Sequence, residues 1–375
     1  MDDKNWYELE NTDQVISPAL LFYPDRIRKN IEHMIEISGD PGRMWTHVKT
    51  HKNEEIIRMQ LEAGINKFKC STLSEAELIG RCGAKEAVLA MQPTKVHLES
   101  LLSLISHYPE TGFSTLVDNK ETLDMISEKA RASGMTIRLW LDINNGMTRT
   151  GIPPGKEAID LYESMSTDPG IECMGIHVYD GHIHDSDLDS RRKNSLMAMN
   201  PVLEMRDAII ERNLSIKTII AGGSPTFSTH ADNQALDLSP RTTLLWDAGY
   251  RKNYPDLPFR PAATLLSRVV SKPASGIICT DLGHKSVASE MSFPRVEFLD
   301  QKAYKQVSQS EEHLVLECEK SEEVSVGQEL YALPLHICPT VSKYSQIHVV
   351  LNKEITANWN ISAQNHELEL TNKET

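Results

Sequence analysis

No apolar run reaches the ~18–20 residues that a membrane helix needs, so no membrane-spanning helix is expected. Cysteine is scarce as well. The six thiols, Cys70, Cys82, Cys173, Cys279, Cys318 and Cys338, are scattered and form no CxxC pair. Reduced, buried thiols and a cytoplasmic setting follow as expectations. Positive charge is also in deficit, with 39 Lys and Arg against 53 Asp and Glu and a net charge of −14. Such a surface repels phosphate backbones and anionic lipids, which argues against nucleic acid and membrane partners. The opening "MDDKNWYELE" is acidic and has the pattern of neither a signal nor a transit peptide. No repeat or low-complexity block occurs. What is present suits a globular protein: 375 residues, enough for about two domains, of which 40% are apolar and 25% charged.

The main signal is alternation. Short β-type runs stand at "RMWTHVKT", "KFKCS", "EAVLA", "GFSTLV", "TIRLWLDI", "ECMGIHVY", "IKTIIAGG" and "TTLLWDAG". Helical patterns lie between most of them. "NEEIIRMQLEAG" ends at Gly64; "STLSEAELIGRCG" starts at a capping candidate, Ser74; "TKVHLESLLSLISHY" spaces Val96, Leu98, Leu101, Leu102 and Ile105 near one face. Strands alternating with helices imply parallel β/α units. Eight of them between about residues 43 and 250 predict an α/β fold, a (β/α)8 barrel. Beyond Tyr254 only short β runs remain, such as "HLVLECE" and "SQIHVVLN". The division expected is residues 1–22, an N-terminal strand packing with the β domain; 23–255, the barrel; and 256–375, an all-β C-terminal domain.

Active groups of such barrels sit at the C-terminal ends of the strands. Four strand ends carry polar clusters: "HVKTHK", "DINNGMTRTG", "HVYDGHIHD" and "AGGSPTF". In "GGSPT", Gly222 and Gly223 allow close approach of the backbone, and Ser224, Thr226 and the N–H groups of a new helix can then hold an anion; the other reading is a plain tight turn. Loops after strands 7 and 8 are the usual phosphate site of these barrels. Lys49 closes the first strand. Partial desolvation there favours a neutral, nucleophilic amine, and with a phosphate site it points to a Schiff base with pyridoxal phosphate. Lys52 falls where a helix begins and reads as a surface residue.

"HVKTHKNEEIIRMQLEAG", "STLSEAE", "DINNGMTRTG", "YDGHIHD", "GGSPT" and "LHICPTV" together resemble the D-threonine aldolase and D-serine dehydratase family of alanine-racemase-like, fold type III pyridoxal phosphate enzymes. The resemblance runs from about residue 15 to residue 350. It implies Lys49 as the Schiff-base lysine, Arg149 near the cofactor ring, Tyr179 as a cofactor contact and His182 as the group nearest the substrate hydroxyl. His336 and Cys338 of "LHICP" are read as alternating on one face of a β run, a pair able to share a metal ion. The resemblance implies a divalent ion at this motif. The thiolate favours zinc, with manganese or another divalent ion as alternatives. One segment, "LSPRTTLLWDAGY", departs from the family's acidic residue and Pro-Gly pair, so Asp247 and Tyr250 are only candidates for lining the mouth.

The implied activity is a metal-assisted lyase that cleaves D-threonine and related D-β-hydroxy-α-amino acids to glycine and an aldehyde. A D-serine dehydratase giving pyruvate and ammonia is the first alternative. A non-catalytic pyridoxal-phosphate-binding protein and a racemase come further behind. The resemblance also implies a homodimer.

Overall fold

The computed structural model describes residues 5–300 and 303–372, and these divide into two compact units. One holds residues 34–49, 57–241 and 365–372; the other holds residues 5–33, 50–56, 242–300 and 303–364. No helix among the described residues is long and apolar enough to cross a membrane.

The chain's first strand is β1 (Ala19–Phe22). Eight strands of the first-named unit follow: β2 (Trp45–His47), β3 (Lys67–Cys70), β4 (Glu86–Leu89), β5 (Gly112–Val117), β6 (Ile137–Ile143), β7 (Ile171–Val178), β8 (Thr218–Ala221) and β9 (Leu236–Leu238). Each pairs in parallel with the next, in the order β2 to β9. A bridge from Met44 to Leu238 and a bond from the His47 N–H to the Pro240 carbonyl at 3.0 Å bring the last strand back to the first. The result is a nearly closed eight-stranded parallel barrel. Its interior is filled by Trp45, Val88, Leu116, Trp140, Met174 and Ile220. The Trp45 and Trp140 rings meet edge to face with centroids 5.3 Å apart. Asp237 on β9 accepts a bond from the Trp45 indole at 2.7 Å and pairs with Lys67 at 2.8 Å, which ties the short last strand across the seam.

Gly175 on β7 has φ +140, and a Cβ there would lie 2.1 Å from the Thr218 carbonyl oxygen. It coincides with a register shift opposite Leu139 and Trp140. Only glycine allows this bulge to pass so close to β8.

Three local expectations are corrected. The run "TTLLWDAG" is not a strand: Thr242–Leu244 is a 3-10 turn, and Ala248–Asn253 is a helix. Asp247 caps that helix, accepting from the Tyr250 N–H at 2.8 Å. The eighth strand is the earlier "LDL", only three residues long, too short for an alternating pattern to register. The helix Leu73–Arg81 is capped by Thr72, not Ser74, with the Thr72 hydroxyl accepting from Glu75 N–H at 3.2 Å. Glu75 reaches back to the Ser71 N–H at 2.6 Å, one residue before the cap, which further fixes the entry to the helix. Within helix Lys95–His107, Val96 is exposed and Leu104 is buried in its stead.

In the other unit, β1 pairs antiparallel with β10 (Ala263–Ala274) and parallel with β16 (Gln346–Leu351). β11 (Ile277–Thr280), β13 (Lys305–Gln309) and β14 (Leu314–Glu317) extend the sheet beyond β10 in the order β11, β14, β13, and β17 (Glu354–Asn360) pairs with β16. β15 (Glu329–Pro334) pairs with β10 and with β12 (Val296–Phe298). Val15, Ala19, Leu21, Tyr23, Leu266 and Val350 form its core.

Candidate active site

Parallel strands deliver their C-terminal residues to one rim. On this rim lies a cavity of about 330 Å³. Lys49 reaches it from a 3-10 turn that follows β2 directly, and Arg149, Tyr179 and Arg241 line it from the loops after β6, β7 and β9. His47, Lys69, Asp142 and His177 line it from the strands themselves. Four basic side chains, Lys49, Lys69, Arg149 and Arg241, thus meet in an otherwise acidic protein. The guanidinium carbons of Arg149 and Arg241 lie 5.2 and 5.1 Å from the Tyr179 ring centre.

Burial and neighbouring charge set the protonation here. Burial holds the His47 pKa well below the usual imidazole range, with Lys49 and Lys69 adding to the effect. Its Nδ1 accepts the Lys49 N–H at 3.3 Å, which fixes the tautomer with hydrogen on Nε2. Burial likewise lowers Lys69 to about 7, helped by repulsion from Lys49 and Arg241. His177 Nδ1 donates to Asp142 Oδ1 at 2.7 Å, and the Lys69 amine lies 3.3 Å from Nε2. Gln92 supports Asp142 at 2.7 Å.

The anticipated site residues fall into several places. Lys49, Arg149 and Tyr179 line the cavity. Gly222, Gly223, Ser224 and Thr226 are buried in the turn behind it and are not among the lining residues. Gly223 packs on the Tyr179 ring, and the Ser224 hydroxyl accepts the Arg241 N–H at 3.0 Å. The Thr226 hydroxyl donates to Asp180 at 2.6 Å and accepts from the Gly223 N–H at 3.0 Å. Asp180 also holds His230 at 3.0 Å, so it organises this turn. His182 rests against Gly146 and lines a neighbouring groove with His184 and Asp185. His182 Nδ1 is buried and has no hydrogen-bond partner among the described residues. Lys52 has φ +50 and donates to the Ala363 carbonyl at 3.2 Å. Neither His51, Asp247 nor Tyr250 lines the Lys49 cavity.

His336 and Cys338 belong to the other unit. The expected β run is corrected here too: β15 stops at Pro334, and His336 is the N-cap of the helix Ile337–Val341. Pro339 cannot donate to a ladder but is tolerated in a first helical turn. The Cys338 sulfur lies 3.2 Å from the Thr50 hydroxyl and 3.7 Å from that of Thr242. His336 Nδ1 engages Glu290, so Nε2 is the nitrogen that would meet a metal ion. Among the described residues no third His, Cys, Asp or Glu joins the pair in a metal-like cluster. A two-ligand site with open positions is what these donors fit.

Residue-level reading of the sequence missed Lys69, Asp142 and Arg241. The strand-end rule applied to β3 and β6 would have found Lys69 and Asp142, which fall at the ends of those strands, whereas Arg241 follows a strand too short to register in the pattern.

Residues 23–239 match the family described as alanine racemase, N-terminal domain. The chain belongs to that family. Residues 262–350 match a putative serine dehydratase domain. Membership supports pyridoxal phosphate as cofactor and a small amino acid as ligand, and the relatives support a lyase as the enzyme class. The chain is 23% identical to the 3-hydroxy-D-aspartate aldolase of Paracoccus denitrificans, over 94% of this chain and 92% of that one. The crystal structure of D-threonine aldolase from Filomicrobium marinum superposes with a TM-score of 0.86 at 24% identity, covering 93% and 96% of the two chains. A metal-free cysteine-to-alanine mutant of D-threo-3-hydroxyaspartate dehydratase gives 0.82 at 18% identity, covering 95% and 99%. These structures share the fold: a barrel followed by an antiparallel sheet domain.

Proposed function

We propose that the protein is a pyridoxal-phosphate lyase that cleaves D-threonine and related D-β-hydroxy-α-amino acids into glycine and an aldehyde. The observation that carries the reading is the cationic cavity with Lys49 at the end of the first barrel strand. The donor set fits the cofactor: an amine for its aldehyde, two guanidiniums for anionic groups, and Tyr179 as an aromatic contact. Bound there, pyridoxal phosphate supplies an electron sink for the carbanion that bond cleavage leaves at Cα. A divalent ion on His336 and Cys338 supplies Lewis acidity toward a hydroxyl, zinc suiting the thiolate.

The chain's own groups do the rest. Lys49 would hold the cofactor through its aldehyde. Arg149 is fixed in charge and keeps the ring side of the cavity positive, while the turn Gly222–Thr226 supports Tyr179 and Arg241 from behind. His182, with an unpartnered buried nitrogen, takes the proton of the β-hydroxyl.

A second reading, dehydration, is favoured by one feature. The ligand pair here is histidine and cysteine two residues apart, and a histidine and a cysteine two positions apart are the mutated residues in solved structures of the hydroxyaspartate dehydratase. The products formed from D-threonine decide between the two. Glycine and acetaldehyde are expected, with L-threonine inert and a loss of ~10²–10⁴-fold in His182→Ala. Chelation should stop turnover. A predominance of 2-oxobutanoate and ammonia would replace the aldolase reading with the dehydratase one.

A further inference from the structure

The cavity holds a second lysine that the reading above does not use. Lys69 sits on β3 and is only 3% exposed. Its amine lies 3.3 Å from His177 Nε2 and 5.6 Å from the centre of the Tyr179 ring. The contact is directional. Asp142 accepts the hydrogen on His177 Nδ1, so Nε2 carries a lone pair and takes a hydrogen from Lys69. Gln92 and the backbone of Gly151 brace the far end of the chain, Gln92 bonding both Asp142 and Asp118, and the Gly151 N–H bonding Asp118 at 2.9 Å. Three residues from β3, β6 and β7 thus form one buried line that ends at the cavity wall.

We propose that Lys69 is a second ligand-binding amine of this cavity, one that joins the complex as an ammonium by taking a proton from solvent as an anion binds, with His177 and Asp142 as its positioning residues. The inference rests on the reading of the cavity as a pyridoxal phosphate site. In the free protein, the charges facing Lys69 from the loops after β2 and β9 are Lys49 and Arg241, which oppose its protonation. Asp142 on β6 and Asp180 after β7 favour it, and His47 and His177 are themselves held neutral by burial. Burial tips the balance toward the amine, and the pKa falls to about 7. A dianion entering the cavity reverses the local sign and favours the ammonium. No covalent bond forms at Lys69; one proton moves from solvent to Nζ, and the amine gains a hydrogen to donate to the ligand.

The test needs no turnover. Pyridoxine 5'-phosphate has an alcohol in place of the aldehyde, so it fills the cavity without reacting with Lys49. Its binding to the full chain freed of cofactor is followed by calorimetry at pH 8, in two buffers of different ionisation enthalpy. Wild type should take up about one proton more than Lys69→Arg, which stays charged throughout. Lys69→Met should bind more weakly and without that extra proton. Asp142→Asn removes a charge that favours the ammonium, so its uptake should reach half-maximum at lower pH; a purely structural role would leave that midpoint unmoved. Equal proton uptake in wild type and in folded Lys69→Arg and Lys69→Met overturns this inference alone. A wild-type chain that does not bind pyridoxine 5'-phosphate overturns the functional reading, and this one with it.

Discussion

Two amines face one cavity, and their chemistry differs by environment. Lys49 follows β2 in a half-buried turn, whereas Lys69 is buried within β3 and held by His177. Either could in principle attack an aldehyde, since desolvation makes a lysine nucleophilic. Lys69 already spends a hydrogen on His177, and its position is fixed by that bond. Lys49 enters the cavity from the turn that follows its strand. Borohydride treatment of the cofactor-loaded protein should therefore fix the cofactor to the peptide carrying Lys49, and Lys49→Ala should lose the visible absorbance of the bound cofactor. Cofactor recovered on the Lys69 or Lys52 peptide would reassign the anchor.

At the scale of elements, the weakest joint of the barrel is β9. It has three residues, and backbone pairing across the seam to β2 is limited to the Met44–Leu238 bridge and the bond from the His47 N–H to the Pro240 carbonyl. Side chains make up the difference. Asp237 accepts the Trp45 indole N–H at 2.7 Å and holds Lys67 at 2.8 Å, while the Ser239 hydroxyl donates to the Trp45 carbonyl at 3.0 Å. Truncating Asp237 leaves a buried indole N–H unpaired, a cost of about 1–3 kcal/mol. Asp237→Ala should lower the unfolding free energy measured by urea titration by that amount and the midpoint with it, and Trp45 fluorescence should report the opened seam. An unchanged midpoint would mean that backbone pairing alone closes the barrel.

For the molecule as a whole, acidity is the condition it tolerates least. His47 and His177 are buried with pKa values held down by burial first and by nearby cations second, and burial takes His51 to about 3. In the unfolded chain each titrates near 6.5. Below that pH the unfolded chain binds protons that the folded chain refuses, so stability is full above 6.5 and falls as the pH drops toward the folded values. Each histidine still neutral at pH 5.5 costs about 1.4 kcal/mol relative to pH 7.5, so His47 and His51 together cost about 3 kcal/mol, and the lowered His177 adds to it. Urea unfolding at pH 7.5 and 5.5 should show a decline of that order. Replacing His51 with glutamine should remove about 1.4 kcal/mol of it; a flat profile in wild type would mean that these histidines are protonated when folded.

The order of strands and helices was legible because period-two and period-3.6 patterns are local, and the parallel barrel follows from their alternation. Lys49 was legible as a strand-end residue, Arg149 and Tyr179 through the family resemblance, and all three line the cavity. Tertiary structure decided what local pattern cannot hold. Asp237 makes a strand of "LDL" because Trp45 and Lys67, both more than 150 residues earlier, need its carboxylate. The run "TTLLWDAG" is buried without pairing, so its apolar character misled. Pro339 and a helical turn, not a β face, carry His336 and Cys338. Lys69 meets His177 across 108 residues of chain and Asp142 meets His177 across 35. Sequence periodicity reports which face a residue takes on its own element; which charges share a cavity depends on strands brought side by side, and only the closed barrel does that.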